Sequence, residues 1–163
     1  MTSASGPPVW RQLLSVLLLP TSVAIVIPVL LVSANGVELG WELPGVLTVL
    51  VVVVGAMLIL AGLRLAIETI ALFGKEGEGT LAPWDPTRKL VVRGPYRRVR
   101  NPMITGVGLV LLGEAAILGS PAILIVLVLT VIFALITERT RYGRHIFAVG
   151  GNAEAARRAG IRI

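Results

Sequence analysis

Four apolar stretches separated by short polar breaks organise the chain. They run from Leu13 to Val32, from Gly45 to about Phe73, from Met103 to Leu118 and from Ala122 to Ile136. At about 1.5 Å per residue, roughly 20 residues cross a hydrocarbon core of about 30 Å. The first two stretches reach that length as helices. Pro20 and Pro28 are expected to kink the first, which a membrane helix tolerates when neighbours satisfy the freed carbonyls. The last two, about 15–16 residues each, are separated only by Gly119-Ser120-Pro121. That spacing predicts a tight helical hairpin, which either crosses with its polar ends included or re-enters without crossing. The pattern as a whole predicts an all-α integral membrane protein of about four transmembrane helices, with the last two as a short hairpin and a polar loop over residues 74–102.

The polar breaks differ in charge, and the difference orients the chain. Residues 33–44 carry Glu38 and Glu42 and no Lys or Arg, while Trp41 suits a membrane interface. The central loop carries Lys75, Arg88, Lys89, Arg93, Arg97, Arg98 and Arg100 against Glu76, Glu78 and Asp85. The tail carries Arg139, Arg141, Arg144, Arg157, Arg158 and Arg162. By the positive-inside rule the central loop and both termini face the cytoplasm, in a multi-pass protein of the cell (plasma or inner) membrane. A cleaved signal peptide, with Val32-Ser33-Ala34 as the small-residue site, is the alternative for the first stretch. Its apolar run exceeds the usual core of about 7–15 residues. The organisation expected is a tail over 1–12, a membrane domain over 13–136 and a basic cytoplasmic tail over 137–163.

Composition narrows the chemistry. Hydrophobic residues make up 55% and charged residues only 15% of the 163 residues, below the roughly 25% charged of soluble domains. With no cysteine and a single histidine, His145, disulfides, thiolate metal sites, cysteine nucleophiles and histidine-rich metal centres are excluded, and no metal site is expected. The net charge of +6 sits between apolar spans, so it points to membrane orientation and anionic headgroups rather than nucleic acid.

Among candidate residues, Arg64 and Glu68 stand i,i+4 near the end of the second stretch. They form either the polar wall of a site or a snorkelling arginine with a nearby acid. Glu114 lies inside the third stretch, five residues before the turn, at intramembrane or interfacial depth. The central loop has constrained corners at Pro83, Pro86, Pro95 and Pro102. There is no Ser/His/Asp set and no phosphate-binding glycine loop; Gly77-Glu78-Gly79 is an isolated pair of glycines. A proline-ordered cationic loop beside apolar helices would hold a carboxylate-bearing ligand through Arg and backbone N–H groups, while the helices admit an apolar partner. The alternative is a charged interfacial loop that only fixes topology.

The residues of this loop carry a resemblance. Gly79-Thr80-Leu81-Ala82-Pro83-Trp84-Asp85-Pro86, followed by Leu90-Val91-Val92-Arg93-Gly94-Pro95-Tyr96-Arg97-Arg98-Val99-Arg100-Asn101-Pro102-Met103 and Gly106, resembles the isoprenylcysteine carboxyl methyltransferase and phospholipid methyltransferase family over about 45–119. The resemblance implies a membrane enzyme that transfers a methyl group from S-adenosylmethionine to a lipophilic acceptor: a prenyl-cysteine carboxylate, a phospholipid amine or similar. It assigns the cofactor to Tyr96, Arg100, Asn101, Pro102 and Gly106, and the acceptor to Gly79, Thr80, Ala82 and Pro83. The family usually carries a Glu-Glu pair after the hairpin, where this chain has the single acid Glu138; the resemblance assigns Glu138 to the cofactor as well. Methyl transfer needs no catalytic dyad, because the sulfonium is already activated and alignment supplies much of the rate.

The tail departs from that pattern. Arg139-Thr140-Arg141-Tyr142-Gly143-Arg144-His145, continuing through Gly150-Gly151-Asn152-Ala153-Glu154-Ala155-Ala156-Arg157, resembles the cytoplasmic segment of sugar-transporter permeases of the ribose and xylose type. The two resemblances join between Gly113 and Thr137. The alternatives to an active methyltransferase are an inactive protein that keeps the scaffold, and a transport component whose tail docks a protein partner.

Overall fold

In the computed structural model, the described residues are 9–18, 20–36, 39–72, 75, 93–99, 101–143, 145, 148, 157, 158 and 160. All regular structure among them is helical: α1 (Val9–Leu18), α2 (Ile27–Asn35), α3 (Gly45–Leu72), α4 (Pro102–Leu118) and α5 (Pro121–Arg139). Leu13–Asn35, Gly45–Leu72 and Pro121–Arg139 are long and apolar enough to cross a membrane, and Pro102–Leu118 is a shorter apolar helix. The chain is a multi-pass membrane protein. It divides into two compact units, Met1–Leu127 and Val128–Ile163.

In the first unit, the proline-bearing stretch does more than kink. Pro20 has no N–H to give the Val16 carbonyl, and the Thr21 hydroxyl donates to that carbonyl instead, at 2.9 Å. The Ser22 hydroxyl donates to the Leu18 carbonyl at 2.6 Å. Between the prolines the chain widens into a π-helical turn over Ser22–Val26, closed by the Ile27 N–H on the Ser22 carbonyl. Pro28 follows at the start of α2. Helix α2 continues past Val32, where the break without Lys or Arg was expected to begin. The Ser33 hydroxyl and the Asn35 side-chain amide both donate back to helix carbonyls, of Leu30 and Leu31. Gly36, at φ 84°, ends it. A 3₁₀ turn over Leu39–Glu42 leads into α3.

Helices α3 and α4 are the most closely packed pair. Gly55 and Gly62 repeat at a heptad interval on α3, as Gly106 and Gly113 do on α4, so each pair shares one face. The helices run antiparallel, with Gly62 against Gly106 and Gly55 against Gly113. A Cβ on Gly62 would lie 2.6 Å from the Gly106 carbonyl oxygen, and one on Gly113 would lie 2.5 Å from the Gly55 carbonyl oxygen. These obstacles are backbone atoms, so only glycine allows this approach. Small residues at such seams supply packing where lipid removes the hydrophobic drive to associate. On the neighbouring face of α4, Val107, Leu111 and Ala115 pack with Ile123 from the first turn of α5. Val23, Ala24, Leu31 and Val32 close over this cluster.

Both ends of α4 are set by local chemistry. Asn101 caps the start, its side-chain oxygen accepting from the Ile104 N–H at 3.4 Å, with Pro102 as the first helical residue. Gly119 ends it in the left-handed conformation, at φ 59° and ψ 32°. The Ser120 N–H reaches back to the Ala115 carbonyl, and Pro121 opens α5. The expected turn over Gly119-Ser120-Pro121 is this one. In the second unit, α5 runs on through Thr137 and Glu138 to Arg139, where the basic tail was expected to begin.

Candidate functional site

The charged end of α3 is where the seam gives way to an opening. Its last turns carry Arg64, Leu65, Glu68 and Leu72. A 3₁₀ turn over Gly94–Arg97 packs against this end of the helix. Gly94 makes the contact possible: its φ is +57°, and a Cβ there would lie 2.9 Å from Leu72 Cδ1. Pro95 then sets the turn, with the Arg98 and Val99 N–H groups both donating to the Pro95 carbonyl at 3.0 Å. Four residues after Arg97, Asn101 starts α4. The sequence therefore folds turn, cap and helix in succession.

Between α3 and this turn lies a cleft of about 760 Å³ lined by Leu65, Glu68, Gly94, Pro95, Arg97, Arg98 and Val99. That volume falls within the roughly 300–1,000 Å³ range of small-molecule sites. Glu68 is the one acid on its wall among the described residues. Arg64 Nε donates to Glu68 Oε1 at 2.9 Å, with the arginine largely in solvent and the glutamate half-exposed. Arg97 and Arg98 are exposed. Neither guanidinium has an acidic partner among the described residues. The cleft thus presents both signs of charge beside apolar Leu65 and Val99, with the anion held in one orientation.

Tyr96, in the same turn, is half-buried. Burial pushes its phenol up from 10.0 to about 12. It stays protonated, and a hydrogen-bond donor, throughout the physiological range.

The residues assigned to the cofactor from sequence fall in different places. Tyr96 and Asn101 flank the cleft wall in sequence, and Asn101 is engaged as a helix cap. Pro102 is buried at the first turn of α4. Gly106 lies in the seam, facing the Gly62 carbonyl and Ala66. Glu138 is on the last turn of α5, in the second unit. Arg100 and the acceptor residues Gly79, Thr80, Ala82 and Pro83 lie outside the described residues. Sequence reasoning left Glu68 open between a site wall and a helix-end ion pair; the structure shows the ion pair and puts Glu68 on the lining of the cleft. It gave no separate role to Arg97 and Arg98, whose signal was their place beside Gly94-Pro95, a pair that fixes a turn. Glu114 stands on α4 about 18 Å along the helix from Pro102. Its Oε2 is buried with no hydrogen-bond partner among the described residues.

A family model described as phospholipid methyltransferase matches residues 50–147. The match passes through the expected join between Gly113 and Thr137 and ends at Phe147, beyond the stretch that carried the resemblance. A probable ABC transporter permease protein, YphD of Escherichia coli (strain K12), is 49% identical over 47 residues, 28% of this chain and 14% of that protein. The chain therefore spans only a small part of that relative. No solved structure matches.

Proposed function

The chain belongs to the phospholipid methyltransferase family, and on that premise we propose that it is a membrane-embedded enzyme transferring a methyl group from S-adenosylmethionine to a lipophilic acceptor. The observation that carries the reading is the cleft between α3 and the Gly94–Arg97 turn, because it opens where the longest membrane helix becomes polar. Arg97 and Arg98 would receive the cofactor's carboxylate, with the bidentate fork that guanidinium offers. Tyr96, Arg100, Asn101, Pro102 and Gly106 would complete that side. Gly79, Thr80, Ala82 and Pro83 would line the acceptor's approach, taking a prenyl-cysteine carboxylate, a phospholipid amine or a similar group. The cofactor supplies a sulfonium-activated methyl; the protein's share is orientation and exclusion of water. The methyltransferase domain would occupy 13–136 and the basic tail 137–163. Both termini and the loop would face the cytoplasm of the cell membrane.

The test is calorimetric titration of S-adenosylmethionine and S-adenosylhomocysteine against the protein in nanodiscs. Saturable binding is expected, weakened by the double variant Arg100→Ala/Asn101→Ala. Folded protein that binds neither compound sinks the reading. The permease match favours one second reading, a transport component whose tail docks a protein partner such as an ATPase subunit. Co-purification of such a subunit, without cofactor binding, would select it.

A further inference from the structure

The second unit carries a sharp bend just past α5, away from the residues that line the cleft. The Thr140 N–H and hydroxyl both donate to the Ile136 carbonyl, at 3.2 and 2.5 Å. The same hydroxyl accepts from the Gly143 N–H at 3.2 Å, three residues on, as a cap does at the start of a helix. Residues 141–143 are helical again. Gly143 is buried, and a Cβ on it would run into the Thr137 carbonyl, so the chain leaves α5 folded tightly against its last turn. One threonine thus closes a membrane helix and starts the chain in a new direction.

We propose that this bend is an interfacial foot: Arg139, Arg141 and Tyr142 dock on the anionic headgroups of the leaflet from which α5 emerges.

Height comes first. The 19 residues of α5 make a rod of about 28 Å, close to the roughly 30 Å of a hydrocarbon layer. Thr140 therefore stands where the acyl chains end, with Arg139 and Arg141 on either side of it among headgroups. Both arginines are exposed, no acid pairs with either among the described residues, and Tyr142 is 68% exposed. A tyrosine there has the apolar body and polar tip that a membrane interface favours. Charge gives the sign of the lipid. From Glu138 onward the sequence holds six arginines, two glutamates and no lysine or aspartate. A surface of one sign is drawn to an anionic leaflet and little to a zwitterionic one. Guanidinium adds a fork that takes two phosphate oxygens at once. A cytoplasmic protein is the other occupant. It would need the arginines held clear of the membrane, whereas the length of α5 and the bend at Thr140 keep them at its surface.

The foot works whether or not the cleft takes the cofactor, so its test is run without cofactor. The chain has no cysteine, and His145 is exposed, so His145→Cys gives a single place for a nitroxide label beside the foot. The labelled full chain is placed in nanodiscs of phosphatidylcholine with increasing phosphatidylglycerol, and label mobility is read by electron paramagnetic resonance. Phosphatidylglycerol should immobilise the label. Salt at about 1 M, where the screening length falls to about 3 Å, should release it. Arg139→Gln or Arg141→Gln alone should raise the fraction of phosphatidylglycerol required about fivefold, the worth of one arginine near an anionic surface. The double variant should lose the response, and Arg139→Lys/Arg141→Lys should keep most of it. Equal mobility with and without phosphatidylglycerol overturns the proposal, as does a response that survives in the double glutamine variant. A label indifferent to phosphatidylglycerol but immobilised by an added ATPase subunit gives the surface to a protein partner instead.

Discussion

Between α3 and α4 the backbones themselves meet, Gly62 on the Gly106 carbonyl and Gly113 on the Gly55 carbonyl. Between the first membrane stretch and α4 the contact runs through side chains, with Val23, Ala24, Leu31 and Val32 packed against the cluster of Val107, Leu111, Ala115 and Ile123. The two regions face the same lipid. One keeps its ladder intact and gains close contact from missing side chains. The other breaks its ladder at Pro20 and depends on the Thr21 hydroxyl to satisfy the Val16 carbonyl. The difference shows where rigidity is concentrated. The seam leads directly into the Asn101 cap and the Gly94–Arg97 turn, so the cleft is mounted on the unbroken pair.

The comparison can be broken most forcefully at the seam. Gly62→Leu should destabilise the protein by about 3 kcal/mol, at the upper end of overpacking effects, because the obstacle is a carbonyl rather than a movable side chain. Thermal unfolding in detergent measures this. Gly45→Ala, where nothing lies within 4 Å of the added methyl, is the control. Equal stability of the two variants would mean the seam is not the rigid element.

Next in size is the cap. Asn101→Ala should cost about 1 kcal/mol, and Asn101→Ser should recover it. If Asn101 also touches the cofactor, the serine variant regains stability but not affinity; recovery of both leaves it a cap alone.

On the broken helix, Thr21→Val should cost about 0.6 kcal/mol, the typical worth of a side chain's hydrogen bond inside a membrane. A much larger loss would show that the π-turn depends on this one bond and that the two regions are equally sensitive.

The smallest effect is one of pH. Tyr96 has its phenol raised from 10.0 to about 12, so folded and unfolded states bind the same proton below pH 10. Above it the unfolded state alone ionises, and stability falls as pH rises through that window. Tyr96→Phe should remove this part of the decline, and an unchanged profile would count against burial of the phenol.

The helices were legible where a stretch is monotonously apolar and its punctuation strong. Gly45 as a start and Gly119-Ser120-Pro121 as a turn act through the local backbone, and local chemistry can be read in order; Asn101-Pro102, read as a corner of the loop, is the cap and first residue of α4. The first stretch was read less well. Ser33 and Asn35 look like loop residues, yet both bond back to their own helix. Two prolines eight residues apart announce a distortion without saying that the turn between them widens. The seam was not legible at all. Which glycine meets which depends on the antiparallel pairing of α3 and α4, across a stretch of chain with no periodicity. For the same reason the place of Gly106 in the seam could not be read, and Glu68 could not be matched with Arg97 and Arg98 before the fold brought them to one cleft.

The 28 residues of α3 make a rod of about 42 Å, against a hydrocarbon layer of about 30 Å. The surplus makes α3 a depth gauge. It fixes how far above the oily layer the cleft stands, and so which atoms of a lipid arrive there without being pulled from the leaflet. Under the proposed function, bilayer thickness would control turnover: in thicker membranes the cleft would sink among the acyl carbons, and in thinner ones it would rise above the headgroups or the helix would tilt to bring it back. The same chain would then work at different rates in membranes of different thickness, with no change in any residue that touches the substrate.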